Sequence, residues 1–208
     1  KLRSILQKSM QIDAEVKFKA YPKIKTHDFK DVNRVSGADI IESISDAYGT
    51  YSERDVVVIC RSNKRANRFN QGIRSSVLYR EEEISTGDLI MIVKNNCFWT
   101  EEYDEIDFIA NGDTAEIIRI RNYTERYGFR FADVVLRFYD YGDLEMEVKI
   151  LLDTLNSETA SLSYDQNVEL YRKIEEDFQD IKNKRKRYEK IREHSFFNAL
   201  QVKFAYAV

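Results

Sequence analysis

The sequence predicts an α/β fold: a parallel sheet with helices, carrying an inserted small antiparallel β-barrel. Two observations carry the sheet. Val56-Val57-Val58-Ile59-Cys60 is a continuous, largely β-branched run of the kind found in strands buried on both faces. Ser62 then stands where it can cap a helix with Ala66, Phe69, Asn70, Ile73 and Val77 along one side. Strand, short turn and helix in succession are how a wound α/β sheet is built. The third observation carries the barrel: short, closely spaced strand patterns follow the hairpin-type turn Asn111-Gly112.

In chain order, residues 1–35 hold nine Lys/Arg against four Asp/Glu and have weak periodicity. From Ala38 to Tyr48, Ile40, Ile41, Ile44 and Ala47 recur at helical spacing. After the strand-turn-helix at 56–77, Gly87-Asp88 opens a second buried run, Leu89 to Val93. An acidic loop from Glu101 to Asp107 leads to strand candidates at Glu116–Arg121, Phe129–Phe138 and Leu144–Ile150. The last alternates, with Leu144, Met146, Val148 and Ile150 inward and Glu145, Glu147 and Lys149 outward. A long helix is expected from Ser163 to about Asn198, with Gln166 as capping-box partner, an acidic first half and a basic second half that complement the macrodipole. Val202 to Val208 reads as a returning strand. This gives a first sheet part at 1–110, an inserted barrel at 111–152, and a helix with a returning strand at 153–208.

Composition bounds the function. The chain has 208 residues, 43% of them apolar and 33% charged, so it can bury a core and is no disordered tail. No run reaches the roughly 18 apolar residues of a membrane span. Thirty-three basic and thirty-six acidic side chains leave −3, which names no partner. Cys60 and Cys97 cannot make a disulfide framework, and with only His27 and His194 beside them they do not make a zinc site. A reducing, cytoplasmic setting is the expectation. Lys1 is no initiator and the last strand stops in mid-run, so the chain reads as a piece of a larger protein. Phosphate-loop, nucleophile-elbow and zinc-protease motifs are missing from the sequence.

The sharpest local signal runs from Cys60 to Asn70, where a strand gives way to a helix. Residues 61–80 hold six Lys/Arg and no acid. Lys64 and Arg65 fall in the first helical turn, where a cation opposes the dipole by about 0.3–1 kcal/mol. A phosphate ligand would explain that placement, and an ordinary solvated helix face is the plainer alternative. The run from Lys182 to Arg192 admits the same two readings.

Three segments in order resemble the second motor domain of RecD-like superfamily-1 DNA helicases, the group of exonuclease V alpha chains and the phage Dda helicase. They are Val56 to Arg74, then Gly87 to Asn96 with Ile109 to Ala115, then Lys203 to Val208. The resemblance implies a RecA-like parallel sheet carrying an inserted barrel of the Src-homology-3 type. It also implies an ATP-dependent helicase acting in DNA repair. ATP and Mg would be held by parts of the parent protein outside this chain, and a missing first motor domain would be the protein partner. Single-stranded DNA would lie against Ser62, Asn63, Lys64, Arg65, Asn70, Lys94, Asn95 and Asn111. No catalytic residue and no metal ligand is assigned to the chain itself. One departure concerns the family's Arg-Gln pair: Leu6 precedes Gln7 here. The alternative function is a non-catalytic nucleic-acid-binding or interaction module.

Overall fold

The computed structural model describes residues 31–208. The basic balance of 1–35 and the position of Gln7 fall wholly or mostly outside the described residues. The chain divides at Ile44/Ser45, and the two units are described separately. In the first, Ser36 Oγ donates to the Asp39 carboxylate at 2.7 Å just ahead of helix α1, Ile40–Thr50, which continues into the second unit.

The second unit is built on five strands: β1 Leu89–Ile92, β2 Thr114–Arg126, β3 Phe129–Phe138, β4 Leu144–Leu151 and β5 Leu200–Phe204. They close into one barrel in the order β1-β2-β3-β4-β5. Every neighbouring pair is antiparallel except β4 with β5, where Ile150 meets Leu200 and Leu151 meets Gln201. Ile90, Ile117, Leu136, Met146, Ile150 and Val202 fill the interior and are fully buried. The 13-residue β2 carries two register shifts, between Ile117 and Arg119 and between Ile120 and Asn122. Bulges of this kind bend a strand strongly enough for a small sheet to close.

This barrel overturns the expected RecA-like parallel sheet with helices. The run at 89–93, expected in that sheet, pairs antiparallel on both sides, with β2 and β5. A continuous apolar run reports burial on both faces, and a barrel wall covered on its outside gives the same burial as a parallel sheet. The run at 56–60 is no central buried strand either. It makes one parallel bridge, Val58 to Ala207, and leaves Val57 53% and Ile59 83% exposed.

The helix after Ser62 forms as the pattern requires. Helix α2, Asn63–Gly72, starts at Ser62, whose Oγ accepts from Arg65 N at 3.4 Å, and runs on as a π-helical turn through Ile73–Val77. The long helix does not form as one piece. Helix α3, Tyr164–Glu176, opens with the expected capping box of Ser163 and Gln166 and stops at Asp177. Helix α4, Lys184–Arg192, restarts after Asn183, whose Oδ1 accepts from Arg185 N at 3.0 Å and Lys186 N at 3.2 Å. Folding back lets the basic half meet the acidic half, and Arg187 lies 3.0 Å from Glu175. The hairpin buries Leu170, Ile174 and Ile191 against Phe129, Phe131 and Leu151 of the barrel.

Candidate nucleic-acid interface

The eight residues expected to face DNA fall into two groups and one outlier. Ser62, Asn63, Lys64 and Arg65 lie together at the start of α2, beside the loop at 156–158. Asn63 Nδ2 donates to the Glu158 carbonyl at 3.3 Å, and Lys64 Nζ lies 2.9 Å from the Glu158 carboxylate. Asn70 is 3% exposed, and its amide is spent on the backbone. Nδ2 donates to the carbonyls of Phe204 and Ala207, while Oδ1 accepts from Ala207 N. Of the six cations at 61–80, Arg74 and Arg80 turn inward to Asp88. Arg61, Arg65 and Arg68 remain exposed.

Lys94, Asn95 and Asn111 form the second group, at the end of β1. Asn95 Oδ1 accepts from Asn111 N at 2.7 Å, and Asp113 Oδ2 accepts from Ala110 N at 2.7 Å, so the Asn-Gly turn is tied to the β1 end. Gly112 takes φ +104, a conformation L side chains rarely adopt. Asn96 bridges antiparallel to Ile109 and holds the next turn, its Oδ1 accepting from Phe98 N and Trp99 N. Lys94 is exposed and makes no ion pair among the described residues.

A cleft of about 330 Å³ opens here, lined by Lys94, Asn95, Asn96, Phe98, Arg192 and Phe197, among others, with one carboxylate, Glu101. A second hollow of about 350 Å³, walled by Tyr164, Val168, Tyr171 and Phe197, shares Lys94 and Phe197 with it. Tyr164 is 81% exposed. The floor is cross-linked: the Asn198 carbonyl accepts from Asn96 Nδ2 at 2.9 Å and from Trp99 Nε1 at 2.8 Å. Phe98 meets Trp99 edge-on at 4.9 Å, and Tyr171 meets Phe197 edge-on at 6.1 Å.

Aromatic faces beside unpaired cations are what a single strand needs. Bases stack on the rings at about 1–3 kcal/mol each, and the cations take phosphates. A larger hollow, about 790 Å³ beside 52–57, has the wrong charge for a phosphate chain, because Glu53, Asp55 and Asp140 outnumber Arg54 there. Sequence reasoning reached Arg192 only as the end of the basic run from Lys182, and it missed Phe98, Tyr164, Tyr171 and Phe197. Nothing in the pattern of a Tyr- and Phe-rich chain separates a wall of aromatics from a core. Among the described residues, no three His, Cys, Asp or Glu side chains converge to hold a metal ion. No described helix is long and apolar enough to cross a membrane.

No protein-family model matches the chain, and a search of curated proteins finds no match.

Proposed function

We propose that this chain is the single-strand-binding barrel part of an ATP-dependent DNA helicase of the RecD-like kind, working in the cytoplasm on DNA. The observation that carries the reading is the cationic–aromatic cleft at the end of β1. One wall comes from the end of one segment on which the family resemblance rests, Lys94 to Asn96, and Ile109 to Ala115 of the same segment supports it from outside the cleft, with Asn111 N donating to Asn95 Oδ1. Residues of the arm, Tyr164, Tyr171, Arg192 and Phe197, supply the opposite wall. The chain contributes binding rather than chemistry. ATP and Mg, with the lysine and acids that hold them, belong to other parts of the helicase, since phosphoryl transfer needs a phosphate cradle and metal ligands this sequence lacks.

Two measurements test the reading. Fluorescence anisotropy with a labelled oligo(dT) should show salt-dependent binding by the 208-residue chain, similar for unrelated sequences because the contacts do not read bases. Replacing both Lys94 and Arg192 by Ala should flatten the slope of log affinity against log salt by about 1.4, two phosphates' worth on a single strand. An unchanged slope removes the cleft from consideration. The purified chain should also show no ATP turnover with single-stranded DNA present, and turnover above a buffer blank would contradict the division of labour.

A further inference from the structure

His194 sits where the arm returns to the barrel, and its surroundings favour the neutral ring. The imidazole stacks on Phe196 with centroids 5.7 Å apart and planes at 29°, and it takes Phe178 and Tyr127 edge-on at 5.7 and 6.0 Å. Its Nδ1 is buried with no hydrogen-bond partner among the described residues. The charged groups around it come from three elements. Arg126 of β2 lies 4.8 Å from the Tyr127 ring centre and 5.7 Å from that of Phe196. Lys149 of β4 lies 4.3 Å over the Phe196 ring and pairs with Asp133. Asp177, at the end of α3, is engaged by the Tyr127 hydroxyl at 2.5 Å and by Arg126 at 2.8 Å. On its own segment, Glu193 pairs with Lys190 at 2.8 Å. Two cations and one committed carboxylate thus face a partly buried imidazole.

The same residue organises the cleft. The His194 carbonyl accepts from Phe197 N at 3.0 Å, Asn198 N at 3.1 Å and Asn198 Nδ2 at 3.0 Å. Asn198 in turn presents the carbonyl that receives Asn96 and Trp99, and Phe197 is shared by both hollows.

We infer that His194 is a positioning residue for the interface: the neutral ring latches the α3–α4 arm to the β2–β3 turn and fixes Phe197 and Asn198, and protonation releases them. Burial, then the Arg126 charge, holds the imidazole below its ordinary 6.5, with Asp177 pulling the other way and Lys149 adding to the depression. The sign follows. A base whose value is lowered in the folded state favours that state fully above 6.5, and the contribution is lost as pH falls through the lowered value. Acidification otherwise adds positive charge and strengthens binding to a polyanion. The latch therefore predicts the opposite pH trend from bulk electrostatics.

For its DNA arm the inference rests on the proposed function; its structural arm does not. Trp99 is the chain's only tryptophan, so its indole N–H resonance reports the Asn198 carbonyl directly. In an NMR titration of the full chain from pH 8 to 5, the His194 ring should titrate below 6.5, and the Trp99 indole resonance should move with the same midpoint. In His194→Phe, which keeps the aromatic packing, the Trp99 resonance should stay flat, and His27 is the remaining histidine as a control. Oligo(dT) affinity of the wild type should fall below the midpoint by up to about tenfold per pH unit, the limit for one proton. In His194→Phe it should rise on acidification instead. A His194 midpoint at or above 6.5, or a Trp99 resonance that ignores it, overturns the latch. So does a wild-type affinity that rises on acidification as the variant's does. If oligo(dT) is not bound at any pH while both resonances titrate together, the latch stands and the nucleic-acid reading falls. If His194→Phe fails to fold, the wild-type titration alone decides.

Discussion

Asp88 is fully buried and spends its carboxylate four ways. It accepts from Arg74 Nε and Nη2 at 3.0 and 2.9 Å, from Ser85 N at 2.7 Å, from the Tyr206 hydroxyl at 3.1 Å and from Arg80 at 3.3 Å. One side chain thereby ties the end of α2, the turn before β1 and the chain beyond β5. Neutralising it leaves Arg74, itself 7% exposed, as an uncompensated buried cation. Asp88→Asn should therefore cost about 3–5 kcal/mol in urea unfolding, and a loss under 1 kcal/mol would show that the network is dispensable. The inward turn of Arg74 and Arg80 also explains why six uncompensated cations in the sequence do not make a six-charge surface. At the start of α2, Lys64 is engaged by Glu158, and among the described residues Arg65 has no such partner. Lys64→Ala/Arg65→Ala should then flatten the salt slope by about 0.7, half the effect of the Lys94/Arg192 pair, if that end of the molecule meets DNA at all. Anisotropy on the double variant reads this, and no change would leave those residues as a solvated helix start.

Helix starts were legible in the sequence, and helix ends were not. Ser62, Ser163 and its partner Gln166 cap where the residue types require. The break at 177–183 was hidden because Ile174, Phe178, Ile181, Tyr188 and Ile191 keep a near-helical spacing across it. What decides the break is tertiary: Asp177 is held by Tyr127 and Arg126 of the barrel hairpin, and Arg187 reaches Glu175. Asn183→Ala removes the cap that restarts α4 and should cost about 1 kcal/mol. The hairpin turn that receives Asp177 is a two-residue loop with positive φ at both positions, Tyr127 at 57° and Gly128 at 75°. That geometry matches the twist of a long antiparallel pair and favours glycine. Gly128→Ala would put a Cβ 2.6 Å from Lys173 Nζ, a flexible end that can move away, so the backbone strain of about 1–2 kcal/mol should dominate. A thermal melt of the variant measures it. The cleft was legible only on its β1 side. Lys94 and Asn95 could be named from their segment, whereas the arm wall depends on a fold-back that the spacing conceals.

The barrel's strands were legible in position, the run at 56–60 was not a strand, and strand partners were not legible, for one physical reason. Periodicity records how many faces of a strand are buried, and it carries no information on the direction of its neighbour. Alternation along Leu144 to Ile150 gave the barrel face correctly, with Met146, Val148 and Ile150 inside; Lys149 points outward yet is covered by Phe196. The closing strand β5 could not be paired from sequence, because the whole arm separates it from β4. That long detour makes the barrel and the arm depend on each other. Phe131 and Leu151 are barrel residues that also anchor the arm cluster, and the Thr154 hydroxyl, ahead of the arm, accepts from Val202 N at 3.0 Å on the far side of it. Residues sharing a core in this way unfold together in small domains. In a denaturant titration, Trp99 fluorescence, which reads the junction with the returning arm, should therefore share one midpoint with the NMR signals of Met146 in the barrel and Ile174 in the arm. An arm that melts ahead of Met146 would instead make the cleft wall an independently mobile element. The interface would then have to order its arm on binding, at a cost in affinity that the cross-linked floor at Asn198 otherwise avoids.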